Sequence, residues 1–242
     1  MKTIMVASGK GGTGKSTLSV LLGARLAAHG KKVLLIELDS GLRSVDMIAG
    51  VCSETVYDIE DVLCGRCSGE KAVVKSPIYP GLSVISAPYE GGNITSASLH
   101  KLCDAMKPMF DVILLDTAAG LGAPFQAAKA CAQQALLVLT PDPVALRDGR
   151  VVSDVLFDSE MSEIRLILNR VTSQSFTQGT VRDLDECIDT VCAQLLGVVP
   201  ESTELQIAAA KGMALPSNCL AFTAVDHIAR RLDGERIALA IQ

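Results

Sequence analysis

Residues 9–17 read Gly9-Lys10-Gly11-Gly12-Thr13-Gly14-Lys15-Ser16-Thr17, which matches the pattern G-x-x-x-x-G-K-[ST]. Glycines in this pattern let the backbone turn so that successive N–H groups point inward toward an anion. Lys15 can reach the terminal phosphates of a bound nucleotide, and the Ser16 hydroxyl can ligate a magnesium ion. The stretch therefore predicts a phosphate-binding loop made by Gly11, Gly12, Thr13, Gly14, Lys15, Ser16 and Thr17.

The sequence on either side of this loop indicates how the loop is held. Thr3-Ile4-Met5-Val6-Ala7-Ser8 is a short apolar run typical of a buried strand. After the loop, leucines recur at helical spacing, at Leu18, Leu21, Leu22 and Leu26. A strand, a glycine-rich turn and a helix in this order predict an α/β fold with a doubly wound, mostly parallel sheet flanked by helices.

Length and composition agree with this fold class. The 242 residues suit one domain, predicted to span 1–242, because no segment reads as a linker. Hydrophobic residues make up 49% of the chain and aromatic residues only 3%, so Ala, Val, Leu and Ile must fill the core, as in a parallel sheet covered by helices. The net charge of −5 argues against general nucleic-acid binding, and no direct nucleic-acid partner is expected.

The N-terminal sequence and the phosphate-binding loop predict a cytoplasmic location. The first residues run directly into the phosphate-binding loop, which leaves no room for a signal peptide, and no apolar run reaches the length of a membrane span. The eight cysteines are therefore expected to be reduced thiols. Four of them fall within helical patterns as small apolar residues, namely Cys103, Cys131, Cys187 and Cys192.

Two acidic residues follow predicted buried strands. Residues 32–39 form an apolar run that ends in Asp39, and residues 110–116 place Asp116 after four aliphatic residues. The carboxyl ends of strands face the crevice where ligands bind in open α/β sheets. Asp116 is therefore predicted to organise a magnesium shell, usually through a water. The expected magnesium-binding residues are Ser16, Asp39 and Asp116.

The segment 164–172 bears on the choice of base. GTPases of the P-loop class use Asn-Lys-x-Asp, whose carboxylate accepts hydrogen bonds from guanine. Here Asn169 is followed by Arg170 in place of the lysine, and Thr172 replaces the aspartate. Because the guanine-reading acceptor is missing, adenine is favoured, and the predicted ligands are ATP and Mg²⁺. An ordinary turn at the end of a strand is the alternative interpretation.

A C-x-x-C pair lies in the segment 56–67, which reads as a short helix running into a turn. Cys64 and Cys67 supply two ligands, whereas a zinc or iron–sulfur site needs four, and Cys52 is the one further candidate nearby. Packing at a helix end is the favoured interpretation, and a metal site shared by two copies is the alternative.

Lys10 is a second lysine near the start of the loop, beyond what the general pattern requires. With it the chain resembles the deviant Walker A ATPases, which include the MinD and ParA proteins, nitrogenase iron protein and the iron–sulfur carrier ATPases. In that family this lysine crosses a dimer interface and contacts the nucleotide phosphates of the other subunit. The resemblance implies an ATP-dependent homodimer and catalytic roles for Lys10 and Lys15. Service to the phosphates of its own subunit is the alternative for Lys10.

Two further segments resemble the MinD members of that family. Asp39-Ser40-Gly41-Leu42-Arg43-Ser44-Val45-Asp46 is similar to switch I. This similarity assigns Asp39 a catalytic role in orienting the attacking water, and an exposed turn carboxylate is the alternative. Residues 140–150 are similar to a helix that lies at the MinD dimer face and serves the partner protein MinC. An amphipathic helix with a charged face is the alternative there.

The base-binding end of the family is matched as well. Asn169 and Arg170 correspond to the adenine-contacting pair, and residues 196–201, which include Pro200, are similar to the loop that closes over the base. Two places depart from the MinD pattern. Ala118 replaces a proline in the segment similar to switch II, and residues 234–242 lack the basic amphipathic character of the MinD membrane-binding tail. Any membrane contact is therefore expected to be weak or to depend on a partner.

The resemblance as a whole implies an ATP-binding and ATP-hydrolysing switch that dimerises on ATP and positions or regulates a partner protein. A septum-site-determining ATPase of the MinD type is the favoured interpretation. Turnover should be slow unless a partner completes the site, since the sequence offers no other strong base. The alternatives are a flagellar-number regulator, an ATP-dependent scaffold that does not hydrolyse, a ligase or synthetase on the same fold, and an iron–sulfur carrier.

Overall fold

The computed structural model describes residues 2–41, 43–92, 94–159, 161–177 and 181–239. Leu42, within the segment similar to switch I, and residues 240–242 of the tail lie outside these ranges. The expectation about membrane contact through the tail therefore stays a prediction, as does the extent of the single domain, 1–242.

Except for the two-residue strand at Val74–Lys75, the strands coincide with apolar runs of the sequence, which are bounded by polar or glycine-rich segments. The predicted strand at 32–39 is shorter in the structure and leaves Asp39 in the following loop. The strands are β1 (Lys2–Ala7), β2 (Val33–Glu37), β3 (Val74–Lys75), β4 (Leu82–Ile85), β5 (Val112–Asp116), β6 (Gln134–Leu139), β7 (Glu163–Val171) and β8 (Gln194–Pro200).

The helices connect these strands and cover both faces of the sheet. Several begin at a residue whose side chain accepts a hydrogen bond from the first turn, such as Asp142 and Ser202. The helices are α1 (Lys15–Ala28), α2 (Ser44–Ala49), α3 (Ile59–Leu63), α4 (Gly69–Ala72), α5 (Ser96–Met106), α6 (Ala123–Cys131), α7 (Pro143–Phe157), α8 (Gln174–Thr177), α9 (Leu184–Val191), α10 (Thr203–Lys211) and α11 (Leu220–Leu232).

Within the described ranges, eight strands form one sheet in the order β3-β4-β2-β5-β1-β6-β7-β8. All neighbouring strands are parallel except β3, which pairs antiparallel with β4 at the edge. The central strand β1 lies between β5 and β6, so its carboxyl end and that of β5 open at the same edge of the sheet. The predicted doubly wound, mostly parallel α/β fold is confirmed.

Two apolar layers hold the helices against the sheet. Successive residues of β1 alternate between them, since side chains of a strand point to opposite faces. Ile4 and Val6 pack in the layer covered by α1, α2, α10 and α11, whereas Met5 and Ala7 pack in the layer covered by α5, α6, α7 and α9. The central strands are buried on both faces and are therefore rich in Val, Leu and Ile.

Some sequence-based boundaries shift in the structure. Helix α5 begins at Ser96, because Thr95 and Ser98 form a capping box at its start. The prediction that Cys192 lies within a helix is wrong. Helix α9 ends at Val191, and Cys192 is exposed in the left-handed conformation with φ 54°.

In the portion of the chain that the structure describes, the helices fall short of the length and apolar character that crossing a membrane requires.

Candidate nucleotide-binding site

The predicted phosphate-binding loop connects β1 to α1, in the position that the sequence indicates. The loop needs glycine at Gly14, whose φ is 92° and whose added Cβ would lie 2.3 Å from Nδ2 of Asn169. The Ser8 hydroxyl donates a hydrogen bond to the carbonyl oxygen of Lys10 at 2.7 Å. The Asn169 amide nitrogen donates to the carbonyl oxygen of Thr13 at 2.8 Å. The loop is therefore braced from β1 and from β7 before any ligand binds.

The loop forms the floor of a cleft of about 520 Å³ at the carboxyl edge of the sheet. Lys15, the first residue of α1, is buried in this cleft. The cleft brings together every predicted cofactor-binding residue except Thr13, which is buried within the loop itself. These lining residues are Gly11, Gly12, Gly14, Lys15, Ser16, Thr17, Asn169, Arg170 and Pro200, and the predicted metal-binding Asp39 joins them.

Asp116 ends β5 beside the loop and is fully buried. Its Oδ1 accepts a hydrogen bond from the Ser19 hydroxyl at 2.8 Å, and its Oδ2 has no hydrogen-bond partner among the described residues. Burial raises the pKa of Asp116 to about 6, against the lowering effect of the nearby Ser16 and Ser19 hydroxyls and of the charge on Lys15. A buried carboxylate oxygen without a partner, next to a hydroxyl and a lysine, favours binding of a cation.

Glu37, the last residue of β2, and Asp39, in the loop after it, have different surroundings. Asp39 is half-buried and lines the cleft, as predicted for a residue at the carboxyl end of β2. Glu37 is buried instead, and its carboxylate accepts hydrogen bonds from the backbone N–H groups of Val45 at 3.1 Å and Ala87 at 3.4 Å. Burial raises the pKa of Glu37 to about 8. Glu37 thus joins the start of α2, in the segment similar to switch I, to the segment after β4.

Sequence analysis did not identify Glu37, because a single acid within an apolar run carries no motif. The presence of an acid in this strand could have indicated its role, since a charged residue in a strand predicted to be buried on both faces needs hydrogen-bond partners.

Lys10 lies at the rim of the cleft, where it contacts α7. Its Nζ is 3.7 Å from Oδ1 of Asp142, and both side chains are partly exposed. Gly9 packs so closely on the same helix that an added Cβ would lie 2.5 Å from the carbonyl oxygen of Asp148. The loop and α7, which sequence analysis assigned separately to the dimer face, are therefore adjacent in one subunit.

The residues predicted to bind adenine lie at the carboxyl ends of the neighbouring strands β7 and β8. Asn169 is buried and Arg170 is exposed with φ 57°, a left-handed conformation at the end of β7. Pro200 ends β8 next to them. Their role in binding a base stays a prediction.

Another wall of the cleft could not be predicted from the sequence. It is formed by α2 and α10, through Met47, Leu205, Gln206 and Ala209. The two helices pack against one another, and Gly212 approaches the carbonyl oxygen of Met47 so closely that an added Cβ would lie 2.5 Å from it. The wall joins segments that are about 160 residues apart, so no local pattern could indicate it.

The C-x-x-C pair lies away from the cleft. Cys64 follows the last residue of α3 and is exposed, Gly65 has φ 74°, and Cys67 is half-buried. Both are free thiols in the structure. This turn agrees with the favoured interpretation of the pair as part of a helix end.

Comparison with known proteins identifies the family. The model of the CobQ/CobB/MinD/ParA nucleotide binding domain matches residues 4–215. The chain belongs to this family. Its relatives in the family include the septum site-determining protein MinD of Synechocystis, which is 35% identical over 98% of this chain and 91% of its own length.

Solved structures of MinD proteins share the fold over nearly the whole chain. A chain of the MinC:MinD cell division protein complex from Aquifex aeolicus has a TM-score of 0.92 and 35% identity, covering 100% of this chain and 99% of its own. The Pyrococcus horikoshii MinD complexed with Mg-ADP has a TM-score of 0.86 and 25% identity, covering 96% of each chain. The predicted MinD/ParA family and the predicted function as a MinD-like ATPase switch are confirmed by these similarities.

The residues of this MinD-like cleft fit a magnesium nucleotide. Their oxygen donors, a hydroxyl at Ser16 and carboxylates at Asp39 and Asp116, are the kind that magnesium prefers. The Oδ2 of Asp116, buried and without a partner among the described residues, is available for such a shell. Gly11 and Gly12 leave open space where a Cβ would otherwise point, as far as the described residues show, which suits close approach of phosphates to the backbone.

Proposed function

We propose that this protein binds ATP with Mg²⁺, dimerises around two bound ATP molecules and hydrolyses ATP to ADP and phosphate as a switch for a partner protein. A septum-site-determining role of the MinD type is the cellular function we propose. The observation that carries the proposal is that Lys15, Asp39 and Asn169 line one cleft, with Asp116 buried beside the start of α1 and Lys10 at the rim.

Within the cleft, binding and chemistry fall to different residues. The loop N–H groups and Lys15 hold the phosphates, and Ser16, Asp39 and Asp116 would hold the magnesium ion. When bound, that ion neutralises charge on the β- and γ-phosphates. Asp39 lines the same cleft as Lys15 and Ser16, and in this proposal it orients the water that attacks the γ-phosphate. Asn169, Arg170 and Pro200 hold the base.

Lys10 completes the site from a second subunit in this proposal. In one subunit it is held on Asp142, at the surface that also carries α7. Its side chain is 46% exposed and can therefore exchange one anionic partner for another at little cost. Negative charge that develops on the transferred phosphoryl group is a stronger partner than a partly exposed carboxylate. Hydrolysis is therefore slow in a lone subunit and depends on dimerisation or on a stimulating partner.

The exposed face of α7 is the proposed contact for the partner protein. It presents Val144 and Val151, each about half exposed, with Arg147 between them. A surface that mixes aliphatic residues with arginine suits a protein interface. The Aquifex aeolicus structure with similarity to this chain is a complex of MinC and MinD, which supports a protein partner. We also propose a cytoplasmic location, because ATP is available there, and membrane contact that is weak or depends on a partner.

The proposal is tested by nucleotide competition and by turnover. ATP should displace a fluorescent ATP analogue from the protein far more effectively than GTP. Phosphate release should require Mg²⁺, and its rate per subunit should rise with protein concentration. Equal competition by GTP would contradict the base assignment. Tight ATP binding without any phosphate release, at all protein concentrations, would favour the non-hydrolysing scaffold. A coloured protein with bound iron after anaerobic purification would favour the iron–sulfur carrier.

A further inference from the structure

Two buried cysteines meet on the side of the sheet away from the nucleotide cleft. Cys103 lies in α5 and is 3% exposed, and Cys131 is the last residue of α6 and is 5% exposed. The two helices pack closely against each other within one apolar layer. Because α6 follows the glycine-containing segment at 117–122, the pair links α5 to the helix after the segment similar to switch II.

The position of Cys131 is fixed by a contact with the first turn of α5. Its thiol donates to the carbonyl oxygen of Ser96 at 3.8 Å. Ser96, His100 and Cys103 are spaced i, i+4 and i+7 and therefore share one face of α5. Side chains of a helix lean toward its N-terminus, so the Cys103 thiol lies over the turn that contains His100. The two thiols are thus neighbours across the α5–α6 contact.

The charges around the pair make the two thiols unequal. The pKa of Cys131 is lowered to about 7, first by the neighbouring Cys103 thiol and then by His100, while burial acts in the opposite direction. The pKa of Cys103 is raised by the neighbouring Cys131 thiol and by burial. Asp104 of α5 and Lys107 at its C-terminal end are the other charged groups that act on the pair. We assign the first attack to Cys131, because the lower pKa leaves more of this thiol as thiolate.

We propose that Cys103 and Cys131 are a redox modification site, where a small peroxide converts the two thiols into a reversible intramolecular disulfide. The Cys131 thiolate attacks one peroxide oxygen and the O–O bond breaks, giving a sulfenic acid and water once a proton is taken up. The Cys103 sulfur then attacks the sulfenic sulfur, the S–O bond breaks, and a second water leaves. Two thiols and hydrogen peroxide thus yield one disulfide and two waters, and a dithiol reductant reverses the change.

The experiment maps thiols in the intact protein after brief treatment with hydrogen peroxide. Excess peroxide is removed, free thiols are alkylated in denaturant, and tryptic peptides are identified by mass spectrometry. We expect peptides joined through Cys103 and Cys131, separated again by dithiothreitol. Cys187 serves as the internal control. Cys187 is also buried, and burial raises its pKa to about 11. It should survive peroxide as a free thiol and be recovered in its alkylated form. Recovery of Cys103 and Cys131 as free thiols at peroxide levels that oxidise the exposed cysteines would overturn the proposal.

Variants separate the two roles. In Cys103→Ser the sulfenic acid at Cys131 should persist and be captured by dimedone, whereas Cys131→Ser should leave Cys103 unlabelled. Cys187→Ser is the matched control and should form the Cys103–Cys131 disulfide like the unmodified protein. Dimedone capture at Cys103 in Cys131→Ser, with none at Cys131 in Cys103→Ser, would overturn the assigned order of attack. The mapping of the unmodified protein decides the disulfide itself if either variant fails to fold.

Discussion

The Nζ of Lys10 lies 3.7 Å from Oδ1 of Asp142, the residue whose side chain also caps the N-terminus of α7. In one subunit, therefore, the lysine proposed to act in the other subunit is held at the rim of its own cleft. The same carboxylate accepts hydrogen bonds from the backbone N–H of Ala145 and from the Thr140 hydroxyl. The Asp142 side chain is therefore held in place by contacts other than its ion pair with Lys10. In the proposed dimer, Lys10 exchanges this ion pair for contact with phosphate.

Asp142→Asn should therefore ease dimerisation. The amide retains an oxygen that can cap α7 but loses the charge that holds Lys10. An exposed ion pair is worth about 0.2–1 kcal/mol, so the ATP concentration at half-maximal dimerisation should fall by no more than about fivefold. The measurement is sedimentation velocity across an ATP titration. Glu163→Gln is the control, because it removes similarly exposed ion pairs outside the cleft, with Lys2 at 3.6 Å and Arg165 at 2.7 Å. A higher ATP requirement in Asp142→Asn would contradict this role.

Gly14→Ala should distort the phosphate-binding loop even without nucleotide. The positive φ of 92° disfavours alanine, and the new Cβ would lie 2.3 Å from Nδ2 of Asn169, which braces Thr13. We expect a loss of about 1–3 kcal/mol in the free energy of unfolding. Gly11→Ala is the control, since the described residues leave its Cβ in open space. Urea denaturation of both variants checks the difference, and equal stability of the two would argue against the bracing contact.

Lys15→Ala should abolish nucleotide binding while leaving the fold intact. Lys15 is buried in the cleft, and its ammonium group is the charge expected at the terminal phosphates. Isothermal titration calorimetry with ATP should show an affinity loss of at least about 100-fold, equivalent to about 2.7 kcal/mol. Lys101→Ala, on the exposed face of α5, should bind ATP normally. Normal affinity in Lys15→Ala would refute the phosphate-binding assignment.

Asp226→Asn should destabilise the contact between α1 and α11 at neutral pH. Asp226 accepts from Arg25 at 2.7 Å and contacts His29 at 2.8 Å. Burial opposes ionisation of Asp226, but Arg25 and His29 outweigh it and hold its pKa below the ordinary 3.8. The stabilisation is therefore complete above that ordinary value and is lost as the pH falls through the lower pKa of the folded state.

The expected loss for Asp226→Asn is about 1–3 kcal/mol at pH 7, shrinking toward zero as Asp226 itself becomes protonated in acid. Urea denaturation of both proteins at several pH values measures it. A difference in the free energy of unfolding between the two proteins that stays constant down to a pH below the pKa of folded Asp226 would contradict this account. It would show that Asp226 stabilises the contact without its charge.

Local sequence patterns accounted for the parts of the site that lie on one strand end or in one turn. The sequence places the loop at 9–17 and the acids Asp39 and Asp116 at strand ends, where the structure has them, because the apolar run of each strand is evident. Glu37 was missed because its partners, the N–H groups of Val45 and Ala87, are set by two loops that the strand pattern does not describe.

Contacts between distant segments could not be predicted in the same way. Arg25 and Asp226 are 201 residues apart, and the wall formed by Met47 and Gln206 depends on how α2 and α10 pack. Cys192 was placed in a helix because its neighbours have helical spacing, yet the backbone turns left-handed at that residue and ends α9. The prediction that Asn169, Arg170 and Pro200 bind the base came from the family resemblance. Hydrophobic periodicity alone was equally consistent with an ordinary turn at the end of a strand.

The most direct test of the proposed switch is the mass in solution of the Asp39→Ala protein, with and without ATP and Mg²⁺, by light scattering. Removing Asp39, the residue proposed to orient water, should trap the ATP state, so the mass should rise from 25.4 kDa to twice that value on adding ATP. The double variant Lys10→Ala/Asp39→Ala should bind ATP and stay at 25.4 kDa. An Asp39→Ala protein that binds ATP and remains a monomer, or a double variant that still dimerises, would contradict the account.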